Sequence, residues 1–387
     1  MNVKIISTTK PNNITPASEF ETLSGHCAGI CYMADNFDTL QNEDPVKTQK
    51  RVIQTMTGGH HSVFDHNYIT FYLEGVPKLL AMFLNNEKMY TTSEKSARYT
   101  KMTDITEMEK RIYDKWLHNF IQIITEKYPE MKAKKIEKLA MENARYMLSI
   151  FTPTCMAYTV SYRQLNYLYT WLETLPSLFP TNEKWQTAII ELRQALTDTG
   201  YINPNFKDIK NRGFSLFQPQ EHIVGTKEVF SDVYSICYLG SFAQLAQAQR
   251  HRTINYTCAF PDNDSYYIPP ILVNGYKMEW LKDCARLEQA GIIPQCKQLL
   301  IREKGVYENL ILKAKERICS AAQLEIAQQT QSTLEEYIKH LSEEAQDSWM
   351  WEDIQQYMTY KARCTYPDFN CPTPCGWAEG INLQRNI

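Results

Sequence analysis

Two stretches of this sequence carry the same order of signals, and that order limits the folds open to the chain. Asn67–Gly75 (Asn-Tyr-Ile-Thr-Phe-Tyr-Leu-Glu-Gly) is rich in aromatic and β-branched residues and predicts a strand. A helical run over Val76–Leu84 follows at once, with Pro77 suited to a first helical turn. Val233–Leu239 predicts a second strand, followed by Gly240 and a helical Ser241–Arg250. After each pair comes a helical block. In the first block, Ile105, Met108, Ile112, Trp116, Phe120 and Ile123 recur every three or four residues, which predicts an amphipathic helix over Asp104–Tyr128. Further helices are expected over Met131–Ser149, Met156–Glu173 and Trp185–Leu196, with Pro176 and Pro180 breaking the pattern. In the second block they are expected over Lys277–Ala290, Gln295–Glu303, Tyr307–Gln331 and Leu334–His340. The turn-rich Thr199–Asn205 marks the boundary, dividing the chain into 1–202 and 203–387. A repeated order of this kind points to internal duplication.

Composition narrows the function. With 43% hydrophobic and 22% charged residues the chain is globular rather than disordered. A net charge of −3 argues against nucleic acid as the main partner. No run of 18 apolar residues is present, so no membrane span is expected. The first residues lack the apolar stretch of a secretory signal. The 11 cysteines are therefore read as reduced thiols of a cytoplasmic protein.

Three clusters carry chemistry. Arg250-His251-Arg252 sets two guanidinium forks around an imidazole, a set suited to phosphate or to a cofactor carbonyl, or else to a solvated basic helix end. Gly58–His66 holds three of the chain's eight histidines, suited to a metal, to a cofactor-contacting loop, or to a plain surface loop. Ser96 and Arg98, two apart, would lie on one side of an extended strand, where hydroxyl and fork suit a phosphate. In the tail, Cys364, Cys371 and Cys375 would need a fourth ligand to hold zinc. The expectation is a reduced structural tail and no metal.

Together the clusters resemble the flavin-dependent thymidylate synthases. That family reads Gly-His, a strand ending Phe-Thr-Phe, then Gln-x-x-Arg-His-Arg, seven residues, and Ser-x-Arg-Tyr. Gly59-His60, Ile69-Thr70-Phe71 and Ser96-Ala97-Arg98-Tyr99 match in the first half. Its Arg-His-Arg slot holds Asn86-Glu87-Lys88. The second half keeps Gln247-Ala248-Gln249-Arg250-His251-Arg252, but Phe260 stands in its serine slot. Ala144-Arg145, Thr159–Arg163, and Arg317 with Ala322–Ile326 are similar to the family's later motifs.

The resemblance implies an α/β chain that is a tandem duplication of the family fold, with a small antiparallel sheet flanked by helices in each half. It implies FAD-dependent methylation of dUMP, with methylenetetrahydrofolate and NADPH as cosubstrates and no cysteine nucleophile. It places His60, Ser62, Glu94, Arg163, Arg250, His251 and Arg252 at the cofactor. Gln247, Arg250, Ser96, Arg98 and Arg145 fall at the nucleotide, and Arg317 is the catalytic group that polarises uracil. Family sites form between subunits of a tetramer, so a homodimer of this chain would imitate one and hold one flavin per chain. A related pyrimidine nucleotide substrate, or a non-catalytic binding role, are the alternatives.

Overall fold

The computed structural model describes the chain apart from residues 10–13, 34–35, 99, 211–214, 345–348, 360–361, 368, 373 and 382–384. Tyr99 of the Ser-x-Arg-Tyr motif thus lies outside the described residues. The chain forms two compact units. One comprises Met1–Lys95 and Pro153–Phe214, the other Ser96–Thr152 and Ser215–Ile387. These are not the sequential halves 1–202 and 203–387, because the helical block after Lys95 groups with the second half. Among the described residues, no helix is long and apolar enough to cross a membrane.

The first unit is built on four antiparallel strands, β1 (Asn2–Thr8), β2 (Tyr68–Pro77), β3 (Thr91–Glu94) and β4 (Pro153–Ser161), in the order β1-β2-β4-β3. Ile69, Phe71 and Leu73 of β2 alternate inward and sit opposite Val160, Tyr158 and Met156 of β4, so one face is apolar. The register slips between Glu74 and Val76, where Gly75 takes φ +77°, a conformation that a residue with a Cβ adopts only under strain. The helix expected from Met156 is instead strand β4 followed by helix Tyr162–Trp171. Thr154, Met156, Tyr158 and Val160 are buried at a period of two, and Ser161 ends the strand by accepting the Gln164 N–H as a helix cap. Helix Lys78–Leu84 follows β2 directly and is buried from Leu79 to Leu84.

The second unit repeats the arrangement. Strands β5 (Val229–Phe230), β6 (Val233–Ser241), β7 (Asn255–Ala259) and β8 (Gln298–Val306) pair antiparallel in the order β5-β6-β8-β7. Each sheet therefore runs first, second, fourth, third. The helix expected at Gln295–Glu303 is β8. Its centre, Leu299, Ile301 and Glu303, is fully buried between two neighbouring strands. The helix expected over Tyr307–Gln331 is two, Tyr307–Arg317 and Leu324–Glu344, parted by Ile318–Gln323; the run Leu334–His340 falls inside the latter. Ser96 and Arg98 stand in a turn after β3 rather than in a strand.

Helices Glu107–Lys127 and Ala133–Ala144 complete this unit. The first opens with a reciprocal cap, Thr106 to Glu109 N–H and Glu109 back to Thr106 N–H. Its apolar stripe packs Trp116 edge-on against Trp280, with ring centroids 4.8 Å apart, and the Trp116 indole donates to buried Asp283 at 3.0 Å.

Candidate functional site

The loop Ile318–Gln323 gathers side chains from four elements of the second unit. Gln323 accepts from Arg145 through its Oε1 at 2.6 Å, and its amide nitrogen donates to the Tyr146 hydroxyl. Its backbone N–H donates to Gln247 Oε1 at 3.3 Å. Arg98 donates to the Ala321 carbonyl at 2.7 Å. Arg317, the last residue of its helix, immediately precedes the loop and donates from Nε to His251 Nε2 at 2.7 Å. Residues expected at the nucleotide from the first half, Arg98 and Arg145, thus meet Gln247, His251 and Arg317 from the second within one compact unit.

Charge is arranged unevenly there. Because Nε2 of His251 accepts from a guanidinium, its proton resides on Nδ1. Burial, then the cations of Arg317 and Lys313, bring its pKa down to about 3, so the imidazole is neutral. Arg145 is fully buried, its pKa is lowered first by burial, and its Nε has no hydrogen-bond partner. Arg98 is neutralised by Glu142, with Nε to Oε2 at 2.6 Å, and the Ser96 hydroxyl accepts the Arg98 N–H at 3.3 Å. Arg250 is half-buried and Arg252 exposed, both just beyond helix Phe242–Ala248.

Side chains that motif reading missed hold this frame. Glu325 accepts from the Ser241 N–H at 2.8 Å and from the Ser241 and Tyr146 hydroxyls at 2.6 Å each, while burial raises its pKa. Ser241 also caps helix Phe242–Ala248, so Glu325 fixes the start of the helix that presents Gln247. Lys313 and Glu303 form an ion pair at 2.6 Å with neither side chain exposed. Lys313 stands one turn before Arg317. The only sequence signal for Glu325 was its place in the Ala322–Ile326 run.

His60, Ser62, Glu94 and Arg163 lie in the other unit. His60 precedes the short turn of helix His61–Asp65, and Ser62 is exposed. Arg163 pairs with Asp65 at 3.5 Å, and its Nε is buried without a partner. Glu94 takes Lys78 at 2.6 Å and Asn85 at 3.3 Å. Glu87, in the vacated Arg-His-Arg slot, is fully buried and accepts the Tyr167 hydroxyl at 2.8 Å. Phe260, in the other half's serine slot, packs on Phe217 and Phe242.

Residues 14–172 match the model of the family described as thymidylate synthase complementing protein. The flavin-dependent thymidylate synthase of Clostridium tetani (strain Massachusetts / E88) is 25% identical over 169 residues, which cover 38% of this chain. The chain spans 66% of that relative's length, just under two thirds. Among solved structures, thymidylate synthase X of Helicobacter pylori, with FAD and dUMP, is 17% identical with a TM-score of 0.33 over 54% of this chain and 99% of its own. A UMP/dUMP methylase, PolB of Streptomyces cacaoi, bound with 5-Br dUMP, is 16% identical with a TM-score of 0.31 over 52% of this chain and 97% of its own.

Proposed function

Proceeding from a chain that is related to the flavin-dependent thymidylate synthases, we propose that it catalyses FAD-dependent reductive methylation of dUMP to dTMP, with methylenetetrahydrofolate as carbon donor and NADPH as reductant. The observation that carries this reading is the convergence of Arg98, Arg145 and Gln247 on the loop Ile318–Gln323, with the Arg317–His251 pair at the residue just before it. Arg145 and Arg163, in separate units, each keep a buried Nε–H without an acceptor, and an anionic group bound at each would complete it. Arg250, His251 and Arg252, with His60, Ser62 and Arg163, would hold FAD, whose bound ring supplies the reducing equivalents. Glu94 is already engaged by Lys78 and Asn85, so its part is to order that strand end.

The chain's own groups divide the remaining work. Gln247, Arg98 and Arg145 bind and orient the nucleotide, with Ser96 shaping the turn that carries Arg98. Arg317 polarises the uracil carbonyl. Neutral His251 fixes the Arg317 guanidinium by accepting from its Nε, and the Glu316 carboxylate stands 3.6 Å from one terminal nitrogen, so the guanidinium that would face the base is held from two directions. The common strand order of the two sheets supports reading the chain as two diverged copies of one fold. On that reading a homodimer in the cytoplasm imitates the family tetramer, with the His60 side supplied by a partner copy. The Arg98–Glu142 pair also supports a second reading, in which the substrate is another pyrimidine nucleotide less dependent on a free Arg98.

The test is an anaerobic assay by mass spectrometry of the FAD-loaded protein with dUMP, methylenetetrahydrofolate and NADPH. Formation of dTMP is expected. A protein that binds neither FAD nor dUMP under saturating conditions would overturn the proposal.

A further inference from the structure

The tail brings three thiols, and the fold brings a fourth to meet them. Cys319, in the loop after Arg317, lines the same cavity of about 610 Å³ as Cys364, Cys371 and Cys375. All four are free thiols. We propose that Cys319, Cys364, Cys371 and Cys375 form a tetrathiolate zinc site that ties the C-terminal tail to the loop carrying the candidate site.

Four sulfurs and no other donor are the set that selects zinc in a closed, structural site. The surroundings favour thiolates, because Lys315, Arg317 and Arg363 line the same cavity.

The tail also needs such a staple. From Arg363 to Ala378 its described side chains are mostly exposed or half-buried, with Tyr366 buried, and its regular structure is limited to short turns. Pro372 and Pro374 remove backbone donors beside two of the thiols. Among the described residues no three His, Cys, Asp or Glu side chains already stand as a metal site. Setting four sulfurs about 2.3 Å from one ion therefore draws the tail inward across the cavity. The inference stands apart from the proposed activity, since a closed site has no open position for substrate.

The test loads the full chain, reduced and anaerobic, with zinc chloride, removes the excess, and measures metal by mass spectrometry. One zinc per chain is expected. Cobalt in its place should show thiolate charge-transfer bands and the intense visible bands of tetrahedral cobalt. Cys319→Ser and Cys371→Ser should lose at least about a hundredfold in zinc affinity, whereas Cys31→Ser, an exposed cysteine of the other unit, should keep it. Cys375→His should retain zinc with a cobalt spectrum of one thiolate fewer, a variant that stays informative if the serine forms fold poorly. Backbone amides of 362–381 should gain hydrogen-exchange protection on zinc addition. Absence of bound zinc in the folded chain, full retention by Cys319→Ser, an iron–sulfur chromophore, or disulfides among these four cysteines would each overturn the assignment.

Discussion

Lys313→Met should destabilise the second unit far more than a single surface charge would. The Lys313 ammonium lies 2.9 and 2.6 Å from the two oxygens of Glu303, and both side chains are fully buried. Glu303 also accepts the Tyr234 and Tyr238 hydroxyls at 2.7 and 3.0 Å, so its carboxylate is held in place when the cation is removed. A buried charge stripped of its partner costs about 3–5 kcal/mol. For a unit of this size each kcal/mol moves the melting temperature by about 2–4 °C, so a fall of about 6–20 °C is expected. Glu303→Gln combined with Lys313→Met should recover at least half of that. The charge is then gone, the amide oxygen still accepts from a tyrosine, and its NH₂ can donate to Gln329 Oε1, which accepted from Lys313 at 3.1 Å. Scanning calorimetry of the three variants with wild type is the assay, with hydrogen exchange of β8 as the local readout. A shift below about 2 °C for the single variant, or a double variant no more stable than the single, would refute the reasoning. The consequence reaches the site because Lys313 pins the helix whose final residue is Arg317.

His251 has a folded pKa brought down to about 3 from 6.5, so the unfolded chain binds its proton more readily. The stability it contributes is whole above pH 6.5 and is lost as pH falls towards 3. Urea midpoints measured across that window should therefore fall less steeply for His251→Gln than for wild type, and parallel profiles would count against a buried neutral imidazole. Ser96→Ala and Arg98→Ala should weaken dUMP binding, the latter by at least about tenfold, with FAD content unchanged; calorimetric titration reads both, and unaltered affinity would leave the turn a purely structural feature. Each chain should hold one flavin after saturation and removal of excess, since Glu87 is buried in one Arg-His-Arg slot and Phe260 fills the opposite serine slot. A flavin-to-chain ratio near two would show that the degenerate pairing still binds.

Local chemistry carried the elements whose own residues mark them. Strand β2 is rich in β-branched and aromatic residues, helix Lys78–Leu84 starts after Pro77, and helix Glu107–Lys127 buries Ile112, Trp116, Phe120 and Ile124 at a spacing of four. The motifs likewise named Gln247, His251, Arg317, Arg98 and Arg145 without coordinates. Periodicity failed at β4 and β8, where helices were expected. A short apolar run does not by itself distinguish strand from helix, and the strands that pair with β4 and β8 lie far away in the sequence. Helix Ala17–Tyr32 was missed for a related reason. Gly25 faces Thr48 and Val52 so closely that an added Cβ would lie 2.7 Å from one and 2.8 Å from the other, so the helix packs through residues that do not look helical.

Tertiary structure alone decided which partners each apolar face and each cation would find. The stripe of Trp116 and Phe120 demands burial, but nothing in its own sequence says that Trp280, more than 150 residues later, supplies it. That choice groups residues 96–152 with the second unit and sets Arg98 and Arg145 beside the loop following Arg317. Hydrophobic burial is non-directional and independent of sequence separation, so a chain's own pattern states that a face must be covered without stating by what. The same holds for Cys319, which is one unremarkable thiol in the sequence and the fourth side of a thiol-lined cavity in the fold.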